Sequence, residues 1–275
     1  MTRFINNTKT AMLMGLMFGL ILLGGYLFAG TQGLIIAFVI GGLGNIFAYY
    51  HSDKIALAAM GGQQVDARTA PDLVEMVGRL SRNANLPMPR VYVCPQQAPN
   101  AFATGRNPKN AAVAVTQGAL SLLTYDELEG VMAHELAHVK NRDTLTSTVA
   151  ATIAGAISAT WIAQFFTGGR DTNPLVALAF IFLAPIAAGV IQMAISRSRE
   201  YVADADGAEI AGTPHGLISA LQKLEATAQR VPMHNQVPTQ NHMFIVQPLS
   251  GKGLSSLFST HPSTADRVAK LRELA

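Results

Sequence analysis

Four long stretches without a charged side chain dominate this sequence and restrict what it can fold into. Ala11–Ala29 runs for nineteen residues and Gly33–Tyr50 for eighteen. Each meets the roughly 17 to 25 residues that a helix needs to cross a bilayer. Only Gly30-Thr31-Gln32 joins them, so the spacing predicts a tight helical hairpin. Leu145–Phe166 and Pro174–Ile195 form a second pair, with Pro185 as the expected kink in the latter. Leu145–Phe166 carries several Thr and Ser, whose hydroxyls can bond their own helix backbone. A buried or interfacial helix is its rival reading. Arg3 and Lys9 would also suit a cleaved signal peptide, but the length of the first block and the second block right after it favour a retained span.

Composition agrees with that division. Of 275 residues, 49% are hydrophobic and 13% charged, about half the charge of an ordinary soluble domain. Nineteen of the twenty Lys and Arg lie in the N-terminal tail, in 51–144 and in 196–275; only Arg170 falls between the second pair of blocks. Positive charge stays cytoplasmic, which predicts that both chain ends and both polar segments face the cytoplasm. The expected organisation is a tail and first hairpin (1–50), a first polar segment (51–144), a second hairpin (145–195) and a second polar segment (196–275). The fold class expected is a mainly α integral membrane protein with four transmembrane helices and one discontinuous α+β cytoplasmic domain. The net charge of +3 comes with no basic run, so nucleic acid is not an expected partner. A single cysteine, Cys94, excludes an internal disulfide framework and reads as a small buried strand residue.

Within the polar segments, Ala70–Asn83 has a helix signature: Pro71 early, then Leu73, Val77 and Leu80 at helical spacing. Arg90–Cys94 and Ala111–Thr116 read as short strands. Thr124-Tyr125-Asp126-Glu127 matches a capping box and predicts a helix through about Asn141, running on into the third apolar block. Thr264–Leu274 reads as a last amphipathic helix, and Arg230–Gly253 as a long loop.

The capped helix contains His134-Glu135-Leu136-Ala137-His138. Residues four apart lie on one helix face, so both imidazoles can reach one metal ion while Glu135 projects near the open position. This is the H-E-x-x-H arrangement of zinc peptidases. The apolar neighbours Val131, Leu136, Ala137 and Val139 argue against two idle histidines, because unligated His pairs are costly on a half-buried element. Catalytic zinc takes three protein ligands. Glu200 is the expected third, because Asp204 follows one helical turn later and can accept the ring N–H of a ligating histidine. The plain alternative pairs Glu200 with Arg197 or Arg199 on a solvated face; Asp143 and Glu209 are weaker ligand candidates. His51, His215, His234 and His242 have no partner at ligand spacing and read as surface or loop residues.

These residues carry a resemblance. Val131–Asp143 around the paired histidines, Ser196–Asp204 around Glu200, Pro99–Gly105 and Thr260–Arg267 all fit one pattern, and the four apolar blocks fall where that pattern has them. The chain resembles the HtpX family of bacterial membrane zinc metalloproteases, relatives of the CaaX-prenyl-processing peptidases. The resemblance implies a zincin-like catalytic domain with a small sheet and one Zn2+ per chain. It also implies quality-control proteolysis of misfolded or damaged membrane proteins in the cytoplasmic (inner) membrane, without nucleotide. It makes Glu135 the general base and acid, and His261 the candidate stabiliser of the oxyanion, although His261 before Pro262 also suits a simple turn. Arg267 would support that role or pair with an acidic neighbour. Asn100, Ala101, Phe102, Ala103 and Thr104 match the family's substrate-facing segment, against the reading of an ordinary loop. Three other readings compete: a site-specific processing peptidase, an inactive zinc-binding membrane scaffold, and a metal-binding transporter. The last is disfavoured because the apolar blocks hold no ionisable residue to mark an ion pathway.

Overall fold

A computed structural model describes residues 2–142, 199–228 and 262–275, with side chains for only part of 2–52. The expected spans Leu145–Phe166 and Pro174–Ile195, the expected loop Arg230–Gly253, Asp143, His234, His242 and His261 lie outside the described residues. By proximity the chain divides into two compact units, Met1–Tyr50 with Thr146–Ile195 and His51–Leu145 with Ser196–Ala275.

Helix α1 runs Thr2–Ala59, but it is not one rod. A Cβ on Gly25 would lie 2.5 Å from the carbonyl oxygen of Gly33, and the rings of Phe18 and Phe38 meet edge-on at 5.9 Å. Eight residues on a straight helix span about 12 Å, so the chain turns back on itself. The turn is at Gly30, whose φ of +56° is left-handed and costs glycine no Cβ clash. Past the turn, Leu34, Ile35, Ile36, Phe38, Val39 and Leu43 are exposed, an apolar surface larger than water readily accepts. Among the described residues no helix is long and apolar enough to cross a membrane.

The second unit is built on a four-stranded sheet of β1 (Gln63–Val65), β2 (Arg90–Cys94), β3 (Ala101–Thr104) and β4 (Ala112–Thr116), in the order β1-β2-β4-β3. β2 lies parallel to β4, while β1 and β3 are antiparallel to their neighbours. The sequence of β4, Ala-Val-Ala-Val-Thr, explains its central place: every residue is buried. Val113 and Val115 join the main core with Val91 and Ala101. The smaller Ala112 and Ala114 face the other way, with Phe102 and Cys94, and admit Ala56, Leu57 and Met60 from the end of α1. Burial pushes the Cys94 thiol up to about 11, so it packs as an inert small side chain.

Helices cover the main-core face. α2 (Pro71–Asn83) starts with Pro71 in its first turn and buries Leu73, Met76, Val77 and Leu80. A short α3 (Gln117–Leu122) follows β4. α4 (Tyr125–Asn141) carries the expected capping box, with both Thr124 and Glu127 bonds present. The expectation that α4 runs on into the third apolar block is corrected. α4 ends at Asn141 because Arg142 is left-handed, φ 60° and ψ 30°, a conformation that closes a helix. Three further helices of this unit are described: α5 (199–211), α6 (His215–Ala228) and α7 (Thr264–Arg272). α6 and β1 carried no signal that the sequence reading used, and α7 stops two residues short of its expected end.

Close backbone contact joins α4 to α6. A Cβ on Gly130 would meet the Leu217 nitrogen at 2.3 Å, and one on Gly216 would meet the Asp126 carbonyl at 2.2 Å. Glu127 locks this crossing, accepting from Ser219 Oγ at 2.7 Å and Lys223 Nζ at 2.8 Å as well as from the Thr124 N–H. Burial alone would raise the Glu127 pKa, but these hydrogen bonds outweigh it and hold the carboxyl down at about 2. A depressed carboxyl pKa gives stability that is complete above its ordinary value near 4.5 and lost as the pH falls toward about 2. Glu127→Ala is therefore expected to cost about 2 kcal/mol at neutral pH. Denaturant unfolding should show that gap narrowing at roughly pH 3; a gap independent of pH would contradict the assignment.

Candidate metal centre

α4 and α5 position the expected site residues. On α4 the i, i+4 spacing brings the His134 and His138 rings to 4.6 Å, nearly perpendicular at 85°. Their Nε2 atoms are 3.1 Å apart. Glu200, near the start of the described part of α5, faces both: Oε2 lies 3.5 Å from His134 Nε2 and Oε1 3.5 Å from His138 Nε2. Glu200 is 4% exposed, so it does not sit on a solvated face. Glu209 is exposed.

α5 reaches this position because Gly207 has no side chain. A Cβ there would lie 2.9 Å from His134 Cα and 3.0 Å from its nitrogen. Ala203, fully buried, lies on the same side, one turn before Gly207. The small residues Ala203 and Gly207, at i, i+4 on the face of Glu200, are the sequence signal for this close helix packing.

Asp204 Oδ1 lies 3.0 Å from His134 Nδ1. That distance suits a ring N–H on Nδ1 facing the carboxylate, with Nε2 on the side of His138 and Glu200. Behind Asp204, Arg267 of α7 donates through Nε at 2.9 Å and Nη2 at 2.6 Å. Of the two roles open to Arg267, the structure shows pairing with an acidic neighbour. Burial raises the Asp204 pKa, but Arg267 and His134 more than reverse this and hold it below the ordinary carboxylate range. Burial also disfavours a charged His134, yet Asp204 and Glu200 hold its pKa up at about 9. The cluster thus draws positive charge to the His134 ring.

Glu135 is buried, with the Ala103 N–H of β3 among the groups that favour its charged form. Burial raises its pKa above the ordinary value, opposed by the two histidines. Ala103 belongs to β3, which pairs only with β4 among the described strands. Among the described strands β3 therefore lies at the sheet edge, and the chain enters it from Asn100. Asn100 itself is held by its N–H to Thr116 Oγ1 at 2.8 Å.

His134, His138 and Glu200 offer three ligand atoms within 4.8 Å of one another. A tetrahedral ion bound at about 2.0–2.1 Å separates its ligand atoms by roughly 3.3 Å. The two Nε2 atoms, 3.1 Å apart, and the 3.5 Å from each of them to one of the two Glu200 oxygens lie close to that spacing. Two imidazoles and one carboxylate are a donor set suited to zinc.

Residues 67–275 match the description Peptidase family M48. The chain is 53% identical over 274 residues to the Protease HtpX homolog of Salinibacter ruber (strain DSM 13855 / M31), covering 98% of this chain and 99% of that one. Its fold is similar to that in the crystal structure of S. mikatae Ste24p, with a TM-score of 0.54 at 18% identity. That match covers 98% of this chain and 66% of the other. At that identity the likeness is one of fold.

The Gly207 crossing makes a direct prediction. Gly207→Ala forces α5 away from His134 and is expected to cost about 2 kcal/mol. It should also lower bound metal per chain, read by elemental analysis after dialysis. A variant that keeps wild-type stability and metal content would show that the close approach is not needed.

Proposed function

This chain belongs to peptidase family M48, as a metalloprotease of the HtpX family, and from that premise we propose that it is a membrane-embedded zinc endopeptidase of protein quality control. The observation that carries the reading is the convergence of His134, His138 and Glu200 beside a buried Glu135. In this reading His134, His138 and Glu200 hold one zinc ion. Zinc, when bound, supplies a Lewis acid that brings the pKa of a water ligand to about 7 and polarises a carbonyl.

The chain's own residues do the rest. Glu135 takes a proton from the attacking water onto its carboxylate and passes it to the leaving amine nitrogen. Its raised pKa suits a group that must both accept and release that proton. The Ala103 N–H holds the carboxylate toward the sheet edge. Asp204 keeps the His134 proton on Nδ1, so that Nε2 remains a lone-pair donor. An unfolded substrate segment adds to the edge of β3 away from β4, which binds it extended and brings one peptide bond to the site. His261 remains the proposed donor to the developing oxyanion.

The bilayer is the proposed setting, supported by the uncharged blocks and by the exposed apolar surface of the first hairpin. The distribution of Lys and Arg supports a cytoplasmic face for the discontinuous catalytic domain, 51–144 with 196–275. Misfolded membrane proteins are the proposed substrates, reached without nucleotide.

The test is cleavage of an unfolded model protein by the detergent-purified, zinc-loaded chain. Glu135→Gln is expected to lower kcat by about 10²- to 10⁴-fold while binding zinc stoichiometrically. Chelation should abolish cleavage by wild type, and zinc should restore it. Equal cleavage by wild type and variant would remove Glu135 from the chemistry.

A further inference from the structure

Arg267 is not among the three donors, and it transfers no proton in the scheme above. It is nevertheless among the most buried side chains described, at 1% exposed. Its guanidinium holds both oxygens of Asp204, lies 3.5 Å from Glu200 Oε2 and 3.4 Å from His134 Nε2. Three carboxyl groups, Glu135, Glu200 and Asp204, share this pocket at 6% exposure or less. Ionised carboxylates crowded in a low-dielectric interior repel strongly and lose their hydration unless a cation lies among them. Arg267 is in direct contact with two of the three.

We propose that Arg267 is the resident counter-cation of the metal centre, a positioning residue that lets Glu200 and Asp204 stand side by side before any metal arrives. The inference rests on reading His134, His138 and Glu200 as ligands. Arg267 comes from α7, more than sixty residues beyond Asp204 in the chain, so α7 completes a site whose donors lie on α4 and α5. A bound divalent ion adds positive charge to the same pocket and takes over part of this role. The charge of Arg267 therefore matters most in the metal-free protein.

The same helix pair supplies a control. Lys270, one turn past Arg267, lies 3.6 Å over the ring of Tyr201, three residues before Asp204. Lys270→Met removes a contact between α7 and α5 without touching the carboxylates.

Thermal unfolding of the full chain in detergent, with chelator and with saturating zinc, tests the proposal. Arg267→Gln is expected to lower Tm roughly twice as much in chelator as in zinc. Lys270→Met is expected to lower both equally. Asp204→Asn combined with Arg267→Gln removes a charge of each sign and should recover most of the chelator-state loss. Arg267→Lys keeps the cation and should show nearly equal losses; with the double variant it decides the matter if Arg267→Gln does not fold. Equal losses for Arg267→Gln in the two conditions, or failure of that variant to bind zinc, would overturn the proposal. A wild type whose Tm ignores zinc would instead remove the metal-site reading on which it stands.

Discussion

The site depends on α5 lying against α4 at backbone distance, and that contact is possible because position 207 has no side chain. Where Gly207 meets His134, the two helices come close enough for carboxylates on one to reach imidazoles on the other. Glu200, Asp204 and Gly207 recur at helical spacing on a single face of α5, so one packing contact places both Glu200 beside the two histidines and Asp204 beside the His134 ring. A side chain at 207 would push that whole face away. The N-terminal part of α4 is fixed separately, by the glycine contacts of Gly130 and Gly216 and by Glu127 reaching Ser219 and Lys223. The paired histidines therefore sit on a helix held by α5 and α6 at different turns, and their rings lose little freedom when a metal is bound.

Electrostatics follows from the same packing. Bringing α4, α5 and α7 together buries Glu135, Glu200 and Asp204 in one pocket, where water no longer screens them. Each is answered differently: Asp204 by Arg267 and the His134 ring, Glu200 by both histidines and Arg267, and Glu135 by the two histidines and the Ala103 N–H. The pKa directions reflect this division, Asp204 below its ordinary value and Glu135 above it. Asp204, held charged, is thus separated in character from Glu135, the carboxylate proposed to exchange a proton. The sheet contributes through β4, whose fully buried Ala/Val alternation seats β3 at the edge beside Glu135.

Much of this was legible along the chain. The histidine pair, the capping box that starts their helix, and Glu200 with Asp204 one turn apart could all be read from spacing, and so could the hairpin about Gly30. Other features had no such mark. Nothing before Arg142 announced a left-handed residue, because a long basic side chain is not the usual helix terminator, and the helix was expected to continue. Gly207 and Gly130 read as ordinary helix-weakening glycines until the partner helix is known.

What the sequence determined by itself is local: which residues share a helix face, where α4 begins, and which blocks lack charge. Those follow from backbone periodicity and from hydrogen bonds between residues a few positions apart. What only the tertiary structure decided is which faces meet. It decided that Arg267 backs Asp204, that Ala103 lies beside Glu135, and that α6 secures the start of α4. These contacts join residues about thirty to almost one hundred positions apart, and they arise from close packing, whose pairings no spacing along the chain records.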